Sequence, residues 1–274
     1  MPPQQPNVRS RVPDGEQLRS PIARWFFLPL RWLYKLWFAL VFFGSLVVLY
    51  PYFRLLLGHP DRYPRAFRMK RRWACFLQWS LGVPQTVENR GTLPEGPYVI
   101  CCNHGSYLDI IQMYNLIPSY FLFMGKYELL KWPLFNIFFK GMNIAVNRNN
   151  RVEAAMALRK AGEAIDRGTS IALFPEGTIP AQAPRMKSFK DGAFRLAIEK
   201  QVPIVPVTFV DHWRLFGEPL ELFARARPGR ARAVLHPPVP TSGMSLDDVV
   251  ALRHRVYDII EAPLLEFAPR HADH

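Results

Sequence analysis

The chain has 274 residues, enough for one large domain with an appendage and a substantial buried core. It is 49% hydrophobic and 14% aromatic, and a formal net charge of +13 points to an anionic partner surface. No zinc-ligand spacing, RNP-like segment or helix-turn signal before a basic helix accompanies that charge, so nucleic acid is set aside and membrane lipid favoured.

Residues 1–20 are rich in Pro, Gln and Arg and read as a tail without fixed structure. No short apolar run followed by a small-residue cleavage site marks a secretory leader. Apolar character begins at Trp25, pauses at Arg31 and Lys35, and runs without a charge from Leu36 to Phe53. As a straight helix these 18 residues reach about 27 Å, short of a hydrocarbon core of about 30 Å, and Pro51 is expected to shorten them further. Arg24, Arg31 and Lys35 precede the run, while Arg54, Arg62, Arg65, Arg68, Lys70, Arg71 and Arg72 follow it. Cations on both sides favour two ends on one membrane face, as for a helix pair dipping into one leaflet. The second element, about Arg65 to Leu81, sets Trp73, Phe76, Leu77 and Trp79 beside its basic cluster, which suits headgroup level. A pair of buried core helices is the competing reading, and a full span stays open. Residues 21–84 are therefore read as a membrane-binding helical segment and 85–274 as an α/β domain.

From Tyr98 onward, short apolar runs alternate with helical stretches. Strands are expected at Tyr98–Cys102, Tyr120–Met124, Met142–Val146, Ser170–Phe174, Ile204–Val210 and Ala231–Leu235. Helices are expected at Ser106–Leu116, Glu128–Phe139, Asn150–Arg167, Asp191–Lys200 and Leu246–Phe267, with Pro263 kinking or ending the last. Ser245-Leu-Asp-Asp248 opens that helix like a capping box. The alternation predicts an α/β fold, a mostly parallel or mixed sheet flanked by helices. Cys75, Cys101 and Cys102 have no framework spacing and read as reduced packing residues; Cys101 and Cys102 would face opposite sides of one strand.

In such sheets ligands gather beyond the carboxyl ends of the strands. Three of those loops carry chemistry: Asn103-His104-Gly-Ser-Tyr-Leu-Asp109, Asn147-Arg148, and Pro175-Glu176-Gly177-Thr178. A histidine with a nearby carboxylate, held in one tautomer, can serve as a general base toward an alcohol. Ser106 and Asp109 also read as a helix N-terminal capping box, and both descriptions can hold at once. Ser106 as a nucleophile is the weaker alternative to capping. His104 and Asp109 are too few to hold a metal. His212 and His236 stand near strand ends without a partner spacing and read as structural or surface residues. Arg148 offers a fork of donors to a phosphate, or is a solvated arginine after a strand. Glu176 either serves the site or ends a strand in a Pro-Glu-Gly turn.

Four blocks in register resemble the 1-acylglycerol-3-phosphate acyltransferase family, the glycerolipid acyltransferases with an His-x4-Asp signature. They are Asn103-His104-Gly-Ser-Tyr-Leu-Asp109, Gly141-Met-Asn-Ile-Ala-Val-Asn-Arg148, Phe174-Pro-Glu-Gly-Thr178 and Val202-Pro-Ile-Val-Pro206. The resemblance covers about Tyr98 to Val210, and the basic aromatic amino terminus is similar to the family's docking helix pair. It implies that His104 deprotonates the sn-2 hydroxyl of a lysophospholipid, oriented by Asp109, and that the oxygen attacks the thioester of acyl-CoA or acyl-carrier protein. The product is phosphatidate, made without cofactor or metal, by a peripheral or monotopic protein on the cytoplasmic face of an anionic membrane. Arg148, Glu176, Gly177 and Thr178 are the implied substrate-binding residues, with backbone amides near Gly177 as oxyanion donors. Lys126 and Lys190 extend the basic site, or are simply solvated. Two departures bear on the acceptor: Asn147 precedes Arg148, and Ile179-Pro180 follows Thr178 where the family often has arginine. Arg185, Lys187 or Lys190 is the available substitute; otherwise the acceptor is another lysophospholipid or an amino-acid lipid. A lipid-binding protein without catalysis is the rival from another class.

Overall fold

A computed structural model describes residues 27–267 apart from 132–133, 135, 141, 148–149 and 218–220. The proposed tail thus lies outside the described residues. Seven strands form one sheet in the order β1-β7-β6-β2-β5-β3-β4. They are β1 Gln85–Asn89, β2 Val99–Cys102, β3 Phe121–Lys126, β4 Ile144–Val146, β5 Ser170–Leu173, β6 Ile204–Phe209 and β7 Ala231–Leu235. Strands β6, β2, β5, β3 and β4 run parallel. β7 is antiparallel to β6 and carries β1 parallel at its outer edge. The sheet is mixed but mostly parallel, as expected. Strand β1 was not anticipated, because Gln-Thr-Val-Glu-Asn is a polar, largely exposed edge with no apolar run.

The core divides across the sheet. On β2, Val99 and Cys101 join the cluster containing Phe194, Val256 and Ile260, while Ile100 and Cys102 join that containing Phe53, Phe67 and Phe123. Alternation along a strand produces that split and sends the two cysteines to opposite faces, as their spacing implied. Cys75, by contrast, is exposed, which corrects its reading as a packing residue.

Helices α1 Leu28–Leu57 and α2 Tyr63–Ser80 precede the sheet, joined through a 3₁₀ turn at Pro60–Arg62. The 30 residues of α1 are long and apolar enough to cross a membrane, and only 17% of their most apolar window is buried. That exposure rules out a buried core helix for α1. Pro51 sits within α1 on its exposed side and does not end it. Arg31 and Lys35, expected as flanking charges, instead fasten α1 to the globular part by donating to the carbonyls of Phe223 (3.3 Å) and Glu221 (2.6 Å). Lys70 is likewise buried, its ammonium against Tyr114, Met142 and the Phe138 ring.

The remaining helices are α3 Leu108–Leu116, α4 Asn136–Lys140, α5 Arg151–Asp166, α6 Gly192–Glu199, α7 His212–Leu215 and α8 Val249–Phe267. The single helix expected over Glu128–Phe139 is two pieces, a 3₁₀ turn at Tyr127–Lys131 and then α4. Between them Leu134 takes a φ of +69°, which no continuous right-handed helix accommodates. The capping box at Ser245 is present, opening a 3₁₀ turn ahead of α8. Pro263 does not end α8, which continues to Phe267. Thr208 donates to the Ile260 carbonyl at 2.9 Å, tying α8 to β6 one turn before the proline.

Candidate active site

Because β6, β2 and β5 are parallel neighbours, their carboxyl ends release three loops at one edge of the sheet. The β2 loop carries His104 and leads into α3, the β5 loop carries Glu176, and the β6 loop carries Asp211-His212-Trp213. His104 is only slightly exposed, and its ring stacks on Phe174 with centroids 3.9 Å apart. Its Nδ1 lies 2.9 Å from Oδ2 of Asp109. A carboxylate accepts, so Nδ1 carries the proton and Nε2 is the edge left for a substrate hydroxyl.

Asp109 is fully buried and heavily tied. Oδ2 also accepts from the amides of Gly105 at 2.8 Å and Ser106 at 2.9 Å, while Oδ1 accepts from Nδ1 of His212 at 2.6 Å. Burial by itself raises this carboxyl's pKa; hydrogen bonds from His104 and His212 outweigh it and hold the group below its ordinary value. The carboxylate therefore stays charged opposite the imidazole.

The helix start is tied by the same residues, although Tyr107 and not Ser106 stands at the N-cap. Ser106 Oγ accepts from the Leu108 amide at 3.1 Å and donates to the Phe216 carbonyl, and the residue is buried. Its hydroxyl is committed at the helix start, which removes it as a nucleophile. The β2 loop is pinned to the β6 end again at Asn103, whose amide exchanges hydrogen bonds with the Phe209 backbone at 2.9 and 2.7 Å.

Glu176 does not face the open side. Its Oε1 accepts from the His104 amide and its Oε2 from the Lys187 amide, each at 2.8 Å, so it staples the base loop to the following basic loop. Burial pushes its carboxyl up to about 8, against the opposing pull of those two amides. Gly177 turns at φ +85°, a left-handed conformation that suits glycine. Its amide donates to the Phe174 carbonyl at 3.0 Å, so it is not available to an oxyanion. A β-carbon there would stand 3.3 Å from the Lys190 ammonium, which passes directly over the turn. Thr178 is exposed, and its Oγ1 accepts from Lys187 Nζ at 3.0 Å. Lys187 and Lys190 thus meet Thr178 and Gly177, the two residues just before Ile179. Lys126 ends β3, paired in register with Val146 of β4. Arg148 lies outside the described residues.

His212 is the site residue that sequence reasoning missed. Its place near a strand end reads as structural or surface, yet it is fully buried and bonded to the Asp109 carboxylate. The signal was positional: Val210-Asp-His-Trp213 leaves a strand at the same sheet edge as the other loops. His236, in contrast, is bonded to Thr208 at 2.9 Å away from this cluster, consistent with a structural role. Among the described residues no group of three His, Cys, Asp or Glu side chains is disposed to hold a metal ion.

Residues 85–210 match the family described as Acyltransferase. Caenorhabditis elegans acl-2, whose naming as a 1-acyl-sn-glycerol-3-phosphate acyltransferase is itself provisional, is 34% identical over 195 residues, 70% of this chain and 67% of that protein. The chain belongs to the 1-acyl-sn-glycerol-3-phosphate acyltransferase family. Homo sapiens 1-acyl-sn-glycerol-3-phosphate acyltransferase alpha is 32% identical over 176 residues, 62% of this chain. This acyltransferase spans 60% of the human protein's length in that match. The fold is shared with the crystal structure of the 1-acyl-sn-glycerophosphate acyltransferase PlsC from Thermotoga maritima, with TM-score 0.69 at 22% identity, covering 89% of this chain and 97% of that one. The resemblance read from the four blocks is borne out at the level of family and fold.

Proposed function

We propose that this acyltransferase transfers an acyl chain from acyl-CoA or acyl-carrier protein to the sn-2 hydroxyl of 1-acyl-sn-glycerol 3-phosphate, forming phosphatidate. The observation that carries the reading is the His104–Asp109 pair, with Nδ1 engaged and Nε2 left for substrate. Nε2 takes the hydroxyl proton as the oxygen attacks the thioester carbonyl. The tetrahedral intermediate then collapses, the C–S bond breaks, and the imidazolium returns its proton to the departing thiolate. No acyl-enzyme forms, in keeping with the buried and committed Ser106 hydroxyl.

For the acceptor phosphate, Lys187 and Lys190 at Gly177-Thr178 supply cations that the Ile179 departure removed, alongside Arg148 and Lys126. Glu176 acts indirectly, by holding the base loop against the lysine loop.

Residues 27–84 are assigned to a monotopic attachment on the cytoplasmic face. Contacts run along α1 from Arg31 at Phe223, through Phe38 on Phe216, to Phe53 on Phe138. That stretch of about 33 Å lies along the protein, which supports attachment to one leaflet over a crossing. Arg65, Arg68 and Arg72 are exposed on the same stripe of α2 as Phe76 and Trp79, a basic and aromatic face for anionic headgroups.

The test is acyl transfer to lysophosphatidate by purified His104→Ala protein with either donor. A loss of about a thousandfold is expected; undiminished turnover would end the mechanism. Ile179-Pro180 favours a second reading, an acceptor with another headgroup. A panel of lyso-acceptors in competition decides between them, with phosphatidate formed fastest if the first holds.

A further inference from the structure

We propose that His212 is a positioning residue for the acyl transfer, fixing the Asp109 carboxylate so that its other oxygen presents one geometry and a moderated charge to His104. The inference rests on His104 being the base.

Asp109 Oδ2 already serves His104 and two backbone amides, so Oδ1 would be a buried carboxylate oxygen without a partner if His212 were absent. Leaving such an oxygen unpaired in an apolar interior is costly and frees the group to rotate or to take up a proton. At 2.6 Å, the His212 bond is the shortest that the carboxylate makes.

His212 is poorly explained as packing alone. It is fully buried, its ring stacks on Phe209 with centroids 4.6 Å apart, and its Nε2 has no hydrogen-bond partner among the described residues. A phenylalanine or leucine would fill the same apolar space without an orphaned nitrogen, so the imidazole's one use is the Nδ1–H that it gives to Asp109. Nor is His212 needed to join the two loops. Asn103 already pairs with the Phe209 backbone, Ser106 donates to the Phe216 carbonyl, and Gly105 packs where a β-carbon would stand 3.2 Å from that of Trp213.

By drawing charge toward Oδ1, His212 weakens the pull that Oδ2 exerts on a protonated His104 ring. Without that donation the carboxylate is free to turn, and Nε2 no longer meets a hydroxyl at one angle. Other ionisable groups around the pair are Glu176 on the His104 amide, Cys102 at the end of β2, and Asp211 with Arg214 and Arg232 beside His212.

Three variants test the assignment. His212→Asn places an amide N–H near the Nδ1 position, His212→Leu removes the donor, and His212→Gln keeps polarity but shifts the donor to the Nε2 position. Thermal melts establish that each is folded, and kcat, KM for lysophosphatidate and the pH profile of kcat/KM are then measured. Expected for His212→Leu are a kcat about tenfold lower, KM within about twofold, and a displaced acid limb. His212→Asn recovers most of the wild-type rate and the wild-type limb. His212→Gln behaves like His212→Leu and replaces it if that variant does not fold. A folded His212→Leu or His212→Gln with unchanged kcat and acid limb overturns the proposal, as does His212→Asn performing no better than they do. His104→Ala, assayed in parallel, separates the two claims: if it is inactive while His212→Leu is normal, only this proposal fails; if it is fully active, the base assignment fails first.

Discussion

Asp109 is buried and takes hydrogen bonds from His104, Gly105, Ser106 and His212, whereas Lys187 and Lys190, one loop away, stand exposed over Thr178 and Gly177. Both regions sit at the same end of the sheet, and Glu176 links them by its two oxygens. On the proposed mechanism, the difference follows from what each would do. A base must meet its proton at one distance and one angle, so its orienting carboxylate is fixed from several directions. A phosphate is large, multiply charged and hydrated, and long lysine side chains at a solvent edge can meet it without a preset geometry.

On that division, the largest effect belongs to the buried side. Asp109→Asn keeps the volume and loses the charge; kcat is expected to fall about a hundredfold with KM for lysophosphatidate little changed, as steady-state kinetics will report. Next comes the link. Glu176→Gln sets an amide NH₂ against a backbone donor and is expected to cost about 2 kcal/mol in denaturant melts. The same residue gives a pH signature. With its carboxyl raised to about 8, the native state holds more protons than the unfolded chain between the ordinary glutamate value and 8. Its contribution to stability is present in acid and lost as pH rises through that window, and Glu176→Gln should lack this slope.

On the exposed side, the double variant Lys187→Ala with Lys190→Ala is expected to raise KM for lysophosphatidate about tenfold, or about 1.4 kcal/mol, leaving kcat within about twofold. An acceptor without the phosphate should not register the change. A fall in kcat with unchanged KM would erase the contrast between the two sides. The smallest effect is expected away from both. Burial lowers Lys70 to about 7, so its native state holds fewer protons than the unfolded chain from 7 up to the ordinary lysine value. Lys70→Met should therefore raise the melting temperature by a few degrees at or below pH 7, about 1 kcal/mol, with the gain fading as pH climbs toward 10.

The same contrast governs what could be read from the chain alone. His104 and Asp109 lie five residues apart on one turn, so their partnership is a local property and was legible, as was β7 at Ala231–Leu235. His212 joins the same carboxylate from 103 positions away. No spacing rule finds such a partner; only the parallel pairing of β6 with β2 creates it. Strand β1 was missed because an exposed edge needs no apolar pattern. Arg31, Lys35 and Lys70 read as charges flanking the apolar run because sequence gives their charge and not the carbonyls or rings that take them up.

The joint action of imidazole and carboxylate is tested most directly by a double-mutant cycle on lysophosphatidate acylation with His104→Ala, Asp109→Asn and the two combined. Since Asp109 is held to work through the ring, the double variant should be no slower than His104→Ala alone. Losses that multiply would mean that Asp109 acts on the reaction by another route, and the pair would not be one catalytic unit.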